Sequence, residues 1–188
     1  MRVVVAALIG GLIMFLWGAF AHMVLPIGQA SMKAPVDENR LLDTLRTALP
    51  QEQGVYILPH FDMAMRGDDK AIQAYVAKTE SNPYAFIVYQ PQGSNPMAMG
   101  HNLFHQWFGD TLAALIVTLV LLRGGAGLRR GLLVGLGFGV FTWLSLSVPF
   151  WNWFRFPAPF TFAYLLEQAF GWLLAGAAMG WWLGRKRM

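Results

Sequence analysis

The sequence predicts a membrane all-α fold: a four-helix transmembrane bundle carrying a small extracytoplasmic α+β insertion, αβαβ, between helices 1 and 2. Two observations carry this. The composition is 56% hydrophobic and only 13% charged, outside the usual soluble range. The apolar residues also concentrate in four stretches, 3–25, 103–122, 131–150 and 160–183. About 20 apolar residues rising 1.5 Å each span the ~30 Å hydrocarbon layer. The chain therefore divides into a first span at 1–25, an outer domain at 26–100, and spans 2–4 at 101–188 that pack with the first.

The first span begins behind Arg2 and ends near Ala19-Phe20-Ala21, which has the small-residue character of a signal-peptide cleavage site. Its apolar run is longer than the core of a signal peptide, so retention is expected. Between spans 1 and 2 the residue pattern switches between helix and strand periods. Leu41, Leu42, Leu45 and Leu49 fall at helical spacing over 37–49, and Pro50 closes that helix. Residues 54–58 (GVYIL) read as a strand, residues from Asp68 to about Lys78 as a second helix, and 84–89 (YAFIVY) as a second strand. Two strands are marginal in water unless a membrane, the bundle or a partner covers a face. The turn-forming run 91–96 (PQGSNP) then returns the chain to lipid.

Basic residues set the orientation. Arg2, the cluster Arg123, Arg129 and Arg130, and the tail Arg185, Lys186 and Arg187 fall at one end of the four spans, whereas the connection 151–159 carries only Arg155. Short cytoplasmic loops hold such excess. Both termini are thus expected in the cytoplasm and the long 26–100 segment outside, as in a multi-pass protein of a bacterial inner membrane. This placement also accounts for the net charge of +4 without nucleic acid. The absence of cysteine excludes disulfides, thiolate metal sites and thiol nucleophiles.

Small residues recur on single helix faces: Gly11 and Gly18, then Gly131, Gly135 and Gly139, then Gly171, Ala175 and Ala178. Transmembrane helices approach closely along such stripes. Trp107, Trp143, Trp151, Trp153 and Tyr164 suit an outer aromatic belt, Trp181 and Trp182 an inner one. The segment Trp151, Asn152, Trp153 and Arg155 is a candidate interface for lipid headgroups or protein.

The second span carries the most informative polar pattern. At about 100° per residue, His101, Asn102, His105, Gln106 and Asp110 share one half of the helix, and Leu103, Phe104, Trp107, Phe108, Thr111 and Leu115 the other. The apolar half is expected to meet lipid. Glu167 on the fourth span and His22 on the first lie at a similar depth, so His22, His105, Gln106, Asp110 and Glu167 form a candidate polar cluster near the outer face.

Several chemistries could use these residues. His101 and His105, four apart, could ligate one ion with His22, and Met97 and Met99 precede them; such donors suit copper or zinc, and a histidine pair could hold haem. Two acids and a histidine could instead relay protons or ions, or the polar groups could simply tie helices together. No G-x-S-x-G, H-E-x-x-H or phosphate-loop motif is present, which leaves a hydrolase built on Glu167 and His105 the least supported class. The role expected is a non-enzymatic accessory or assembly subunit, working with lipid and with other membrane subunits or further copies of itself.

Overall fold

The computed structural model describes residues 1–25, 27 and 29–185; Lys186 and Arg187, counted above in the basic tail, lie outside the described residues. The elements in order are α1 (Arg2–Met23), α2 (Glu38–Ala48), β1 (Gly54–Leu58), α3 (Asp69–Ser81), β2 (Ala85–Tyr89), α4 (Gly100–Arg123), α5 (Leu128–Thr142), α6 (Val148–Phe154) and α7 (Ala158–Gly184). A π-helical turn, Trp143–Ser147, joins α5 and α6 into one long helix, Leu128–Phe154. That helix, α1, α4 and α7 are each long and apolar enough to cross a membrane, the architecture of a multi-pass membrane protein.

The chain forms two compact units. The first, Met1–Lys33 with Pro96–Met188, is the helical bundle. Within it α1 packs on both α4 and α7, and α7 packs along α5, whereas α4 meets α5 and α7 sparsely. An apolar cleft lined by Val120, Val134, Gly137, Phe138 and Phe141 marks the loose α4–α5 side.

Backbone proximity explains the α5–α7 contact. A Cβ on Gly131 would overlap the Gly176 carbonyl, one on Gly135 the Trp172 carbonyl, and one on Gly139 would lie 2.8 Å from Ala169 Cα. The matching residues on α7 are Gly176 and Gly180, set against Gly127, Gly131 and Gly135. Two small-xxx-small stripes thus let the backbones touch, so that dispersion forces gain the most per residue. The stripe read from the sequence on α7 serves another neighbour: a Cβ on Gly171 would meet Trp17 and Met14 of α1, and Ala175 is fully buried with Met14, Ala114 and Met179.

One end of the bundle is tied by Arg2. Its guanidinium donates to the backbone carbonyls of Trp182 (3.1 Å), Leu183 (3.0 Å) and Arg185 (2.7 Å). These are the orphan acceptors at the C-terminus of α7, where a cation also complements the helix dipole. Arg2→Ala is expected to lower stability in detergent by about 1–2 kcal/mol, read by denaturant unfolding, with Arg2→Lys recovering only part because the ammonium is more strongly hydrated than a guanidinium and loses more on leaving water.

At the other end of the long helix, the π turn shifts one hydrogen bond, so that Val148 N–H reaches the carbonyl of Trp143. Pro149 follows directly and can donate no N–H; the helix continues through it by a one-turn widening. Trp151, Asn152, Trp153 and Arg155 then lie exposed, with Arg155 in the left-handed region (φ 55°) that ends α6.

The second unit, Ala34–Asn95, is the αβαβ segment. Asp37 caps α2 by accepting from Arg40 N–H, and Asp68 caps α3 by accepting from Lys70 and Ala71 N–H. β1 and β2 pair antiparallel, with Val55 opposite Val88 and Tyr56 opposite Ile87. Tyr56 and Tyr89 meet edge-on, and Phe61 packs on Tyr75 of α3 at 5.0 Å. One sheet face stays open: Val55 is 58% and Val88 76% exposed.

Candidate functional site: a polar cavity inside the bundle

α1, α4 and α7, with Thr142 of α5, line a cavity with two lobes, about 330 Å³ and about 250 Å³. The lobes share Met14, Gly18, Gln106, Asp110, Glu167 and Gln168. His22, Leu103 and Tyr164 line the first, and Trp17, Thr142 and Trp172 the second. Periodicity places these groups. Leu103, Gln106, Asp110, Ala114, Val117 and Leu121 step along α4 by three or four residues and form its inward stripe. On α7, Tyr164, Glu167, Gly171 and Ala175 do the same, with Gln168 one turn after Tyr164 beside them.

Glu167 is the centre of the arrangement. Its side chain is 10% exposed, and Oε1 lies 3.4 Å from His22 Nε2, whose side chain is 43% exposed. Oε2 is buried and has no hydrogen-bond partner among the described residues. Its backbone carbonyl accepts from Trp17 Nε1–H at 2.8 Å, a cross-helix bond that fixes α7 against α1 at this level. Across the cavity, Asp110 Oδ1 accepts from Gln106 Nε2–H at 3.0 Å. No lysine or arginine lines either lobe among the described residues. The lumen is therefore acidic, polar at one end and walled by Trp17, Trp172 and Tyr164.

The cavity stops within the bundle. Beyond Asp110 the interior is the apolar core of Ala6, Ala114, Val117, Leu121, Ala175, Met179 and Leu183, in which Thr118 Oγ1–H donates to Met179 Sδ at 3.3 Å.

The structure gathers His22, Gln106, Asp110 and Glu167 around this lumen, and leaves His105 outside it. Asp110 follows His105 by five residues, about 140° around the helix. His105 Nδ1–H donates instead to the His101 carbonyl at 2.8 Å, with the two rings 4.0 Å apart on an exposed face. Met97 and Met99 are likewise exposed. The donors considered for copper, zinc or haem, His101, His105, His22, Met97 and Met99, are thus divided between outside and inside. Among the described residues no three His, Cys, Asp or Glu side chains assemble in a geometry that could hold a metal ion.

Two further expectations are revised. Leu103 and Thr111, assigned to the lipid face, border other helices: Leu103, 48% exposed, lies at the cavity rim, and a Cβ on Gly11 of α1 would sit 2.6 Å from Thr111 Cα. Seven residues separate Leu103 from Asp110, close to two full turns, which puts them on one stripe. Tyr164, read as a belt residue, also lines the cavity. Trp17, Gln168 and Thr142 were missed; the adjacency of Gln168 to Glu167 was the available signal.

Fold and site define a class, a multi-pass helical bundle with an acidic chamber open at one end. No protein-family model matches the chain, and neither curated proteins nor solved structures show a match.

Proposed function

We propose that this is a non-enzymatic inner-membrane protein whose bundle receives cations, protons included, from the outer face and holds them at Glu167 and Asp110, as a subunit of a larger membrane assembly. The observation that carries this reading is Glu167: a buried carboxyl with one oxygen on His22 and the other without a partner, in a lumen lined by a second carboxyl and no described basic side chain except that imidazole. A charge at membrane depth is costly unless paired or hydrated, so a carboxyl kept there is by default functional. The closed apolar core beneath favours binding over conduction.

Topology follows from charge. Arg2, Arg123, Arg129, Arg130 and Arg185 belong to the helix ends opposite the cavity mouth, which supports cytoplasmic termini and a periplasmic mouth and αβαβ unit. The assembly role rests on the exposed Val55–Val88 pair and on the surface formed by Trp151, Asn152, Trp153 and Arg155, where strand addition, headgroup contact or helix packing has apolar area to cover.

Thermal unfolding of the purified chain in detergent, at fixed ionic strength and varied cation, tests the reading. A cation held by the folded state is expected to stabilise it by about 2.7 kcal/mol at a hundred times its Kd, and Glu167→Gln to remove that effect. Insensitivity of the wild type to every cation and to pH would refute it.

A further inference from the structure

We infer that the chamber is built for a small organic ammonium ion, seated between Glu167 and Asp110 against the indole and phenol rings of Trp17, Trp172 and Tyr164. The inference rests on the cation-chamber reading and narrows it to a ligand class.

Size comes first. A dehydrated inorganic ion fills less than the volume of a water molecule, about 30 Å³ in the liquid. The first lobe alone is about 330 Å³, within the range of pockets that enclose small organic ligands. Wall chemistry comes second. Met14, Trp17 and Trp172 line the inner lobe beside the carboxyls, giving apolar and π surface that an alkyl ammonium uses and a hydrated metal ion does not. Polar groups come third. Glu167 and Asp110 line both lobes, Glu167 with Oε1 3.4 Å from His22 Nε2, and Gln106 and Gln168 line them too, with amide oxygens that can take further N–H donors.

Gly18 supplies the control. It lines both lobes, and a Cβ there meets nothing within 4 Å. Gly18→Leu therefore projects an isobutyl group from a position where the first added carbon meets no neighbour, and narrows the lumen without removing any of its polar groups.

The experiment is isothermal titration of the full chain in non-ionic detergent with n-butylammonium chloride, beside n-butanol, sodium butyrate and sodium chloride. The expected result is saturable one-site binding of n-butylammonium alone, weakened at least about tenfold by Glu167→Gln and abolished by Gly18→Leu at an unchanged unfolding temperature. Should either variant fail to fold, the wild-type preference for n-butylammonium over n-butanol and sodium decides the matter. Binding of sodium or protons without n-butylammonium would overturn the organic class and leave the cation chamber standing. Absence of binding by any cation to folded protein would overturn both, and undiminished n-butylammonium binding in Gly18→Leu would place the ligand elsewhere and overturn the inference.

Discussion

Gly135→Leu is expected to destabilise the bundle by about 3 kcal/mol or more, because its side chain would have to occupy space already filled by backbone. A Cβ at Gly135 overlaps the Trp172 carbonyl and lies 3.0 Å from Gly176 Cα. Neither atom can rotate aside as a side chain end could. Relief requires α5 and α7 to separate along their shared stripe, which forfeits the close packing that stands in for a hydrophobic driving force in lipid. Gly137 provides the matched control two residues away. A Cβ there meets nothing within 4 Å, so Gly137→Leu is expected to change stability by no more than about 0.5 kcal/mol. Circular dichroism during denaturant titration in detergent compares the two.

Glu167→Gln is expected to separate function from fold. It removes a buried, half-satisfied carboxyl and leaves an amide of the same shape that can still bond to His22. The residual partner is not stranded, since the His22 side chain is 43% exposed and water can hydrate it. Breaking a pair that leaves a buried charge behind costs about 3–5 kcal/mol; here the buried member is the one neutralised. Stability without added cation should therefore stay within about 1 kcal/mol of wild type, while cation-dependent stabilisation, about 2.7 kcal/mol at a hundred times Kd, disappears. A loss of stability with cation response intact would show the pair to be a helix tie instead.

The four long helices were legible because each holds a run of apolar residues that only a bilayer-length helix accommodates, and leucine spacing ahead of Pro50 marked α2; the Asp37 and Asp68 caps appear only in the structure. Register around each helix was harder to read. His105 and Asp110 looked like neighbours on a coarse half-helix division but sit about 140° apart. Leu103 and Thr111 were sorted by polarity, although a lumen-lining helix can set a leucine at the cavity rim on the same stripe as an aspartate. On α7 a single small-residue stripe was seen where the helix has two, Gly171 and Ala175 toward α1 and Gly176 and Gly180 toward α5. Nothing in one helix's sequence says how many neighbours it has. The chamber itself arises from four helices together, so Trp17 and Thr142 could be assigned to it only once α1, α5 and α7 were placed.

Because the chain has no cysteine, Gly18→Cys introduces a single thiol into the lumen at a position with room for it. Its modification in intact spheroplasts by membrane-impermeant methanethiosulfonate reagents of equal size and opposite charge tests location, access and electrostatics at once. The expected result is reaction from the outer side, at least about tenfold faster with the cationic reagent than with the anionic one, since two charges 4 Å apart near a protein surface interact by about 4 kcal/mol. Glu167→Gln combined with Asp110→Asn should erase that preference. Equal rates for the two reagents, or reaction only after the cytoplasmic face is opened, would contradict an outward-facing acidic chamber.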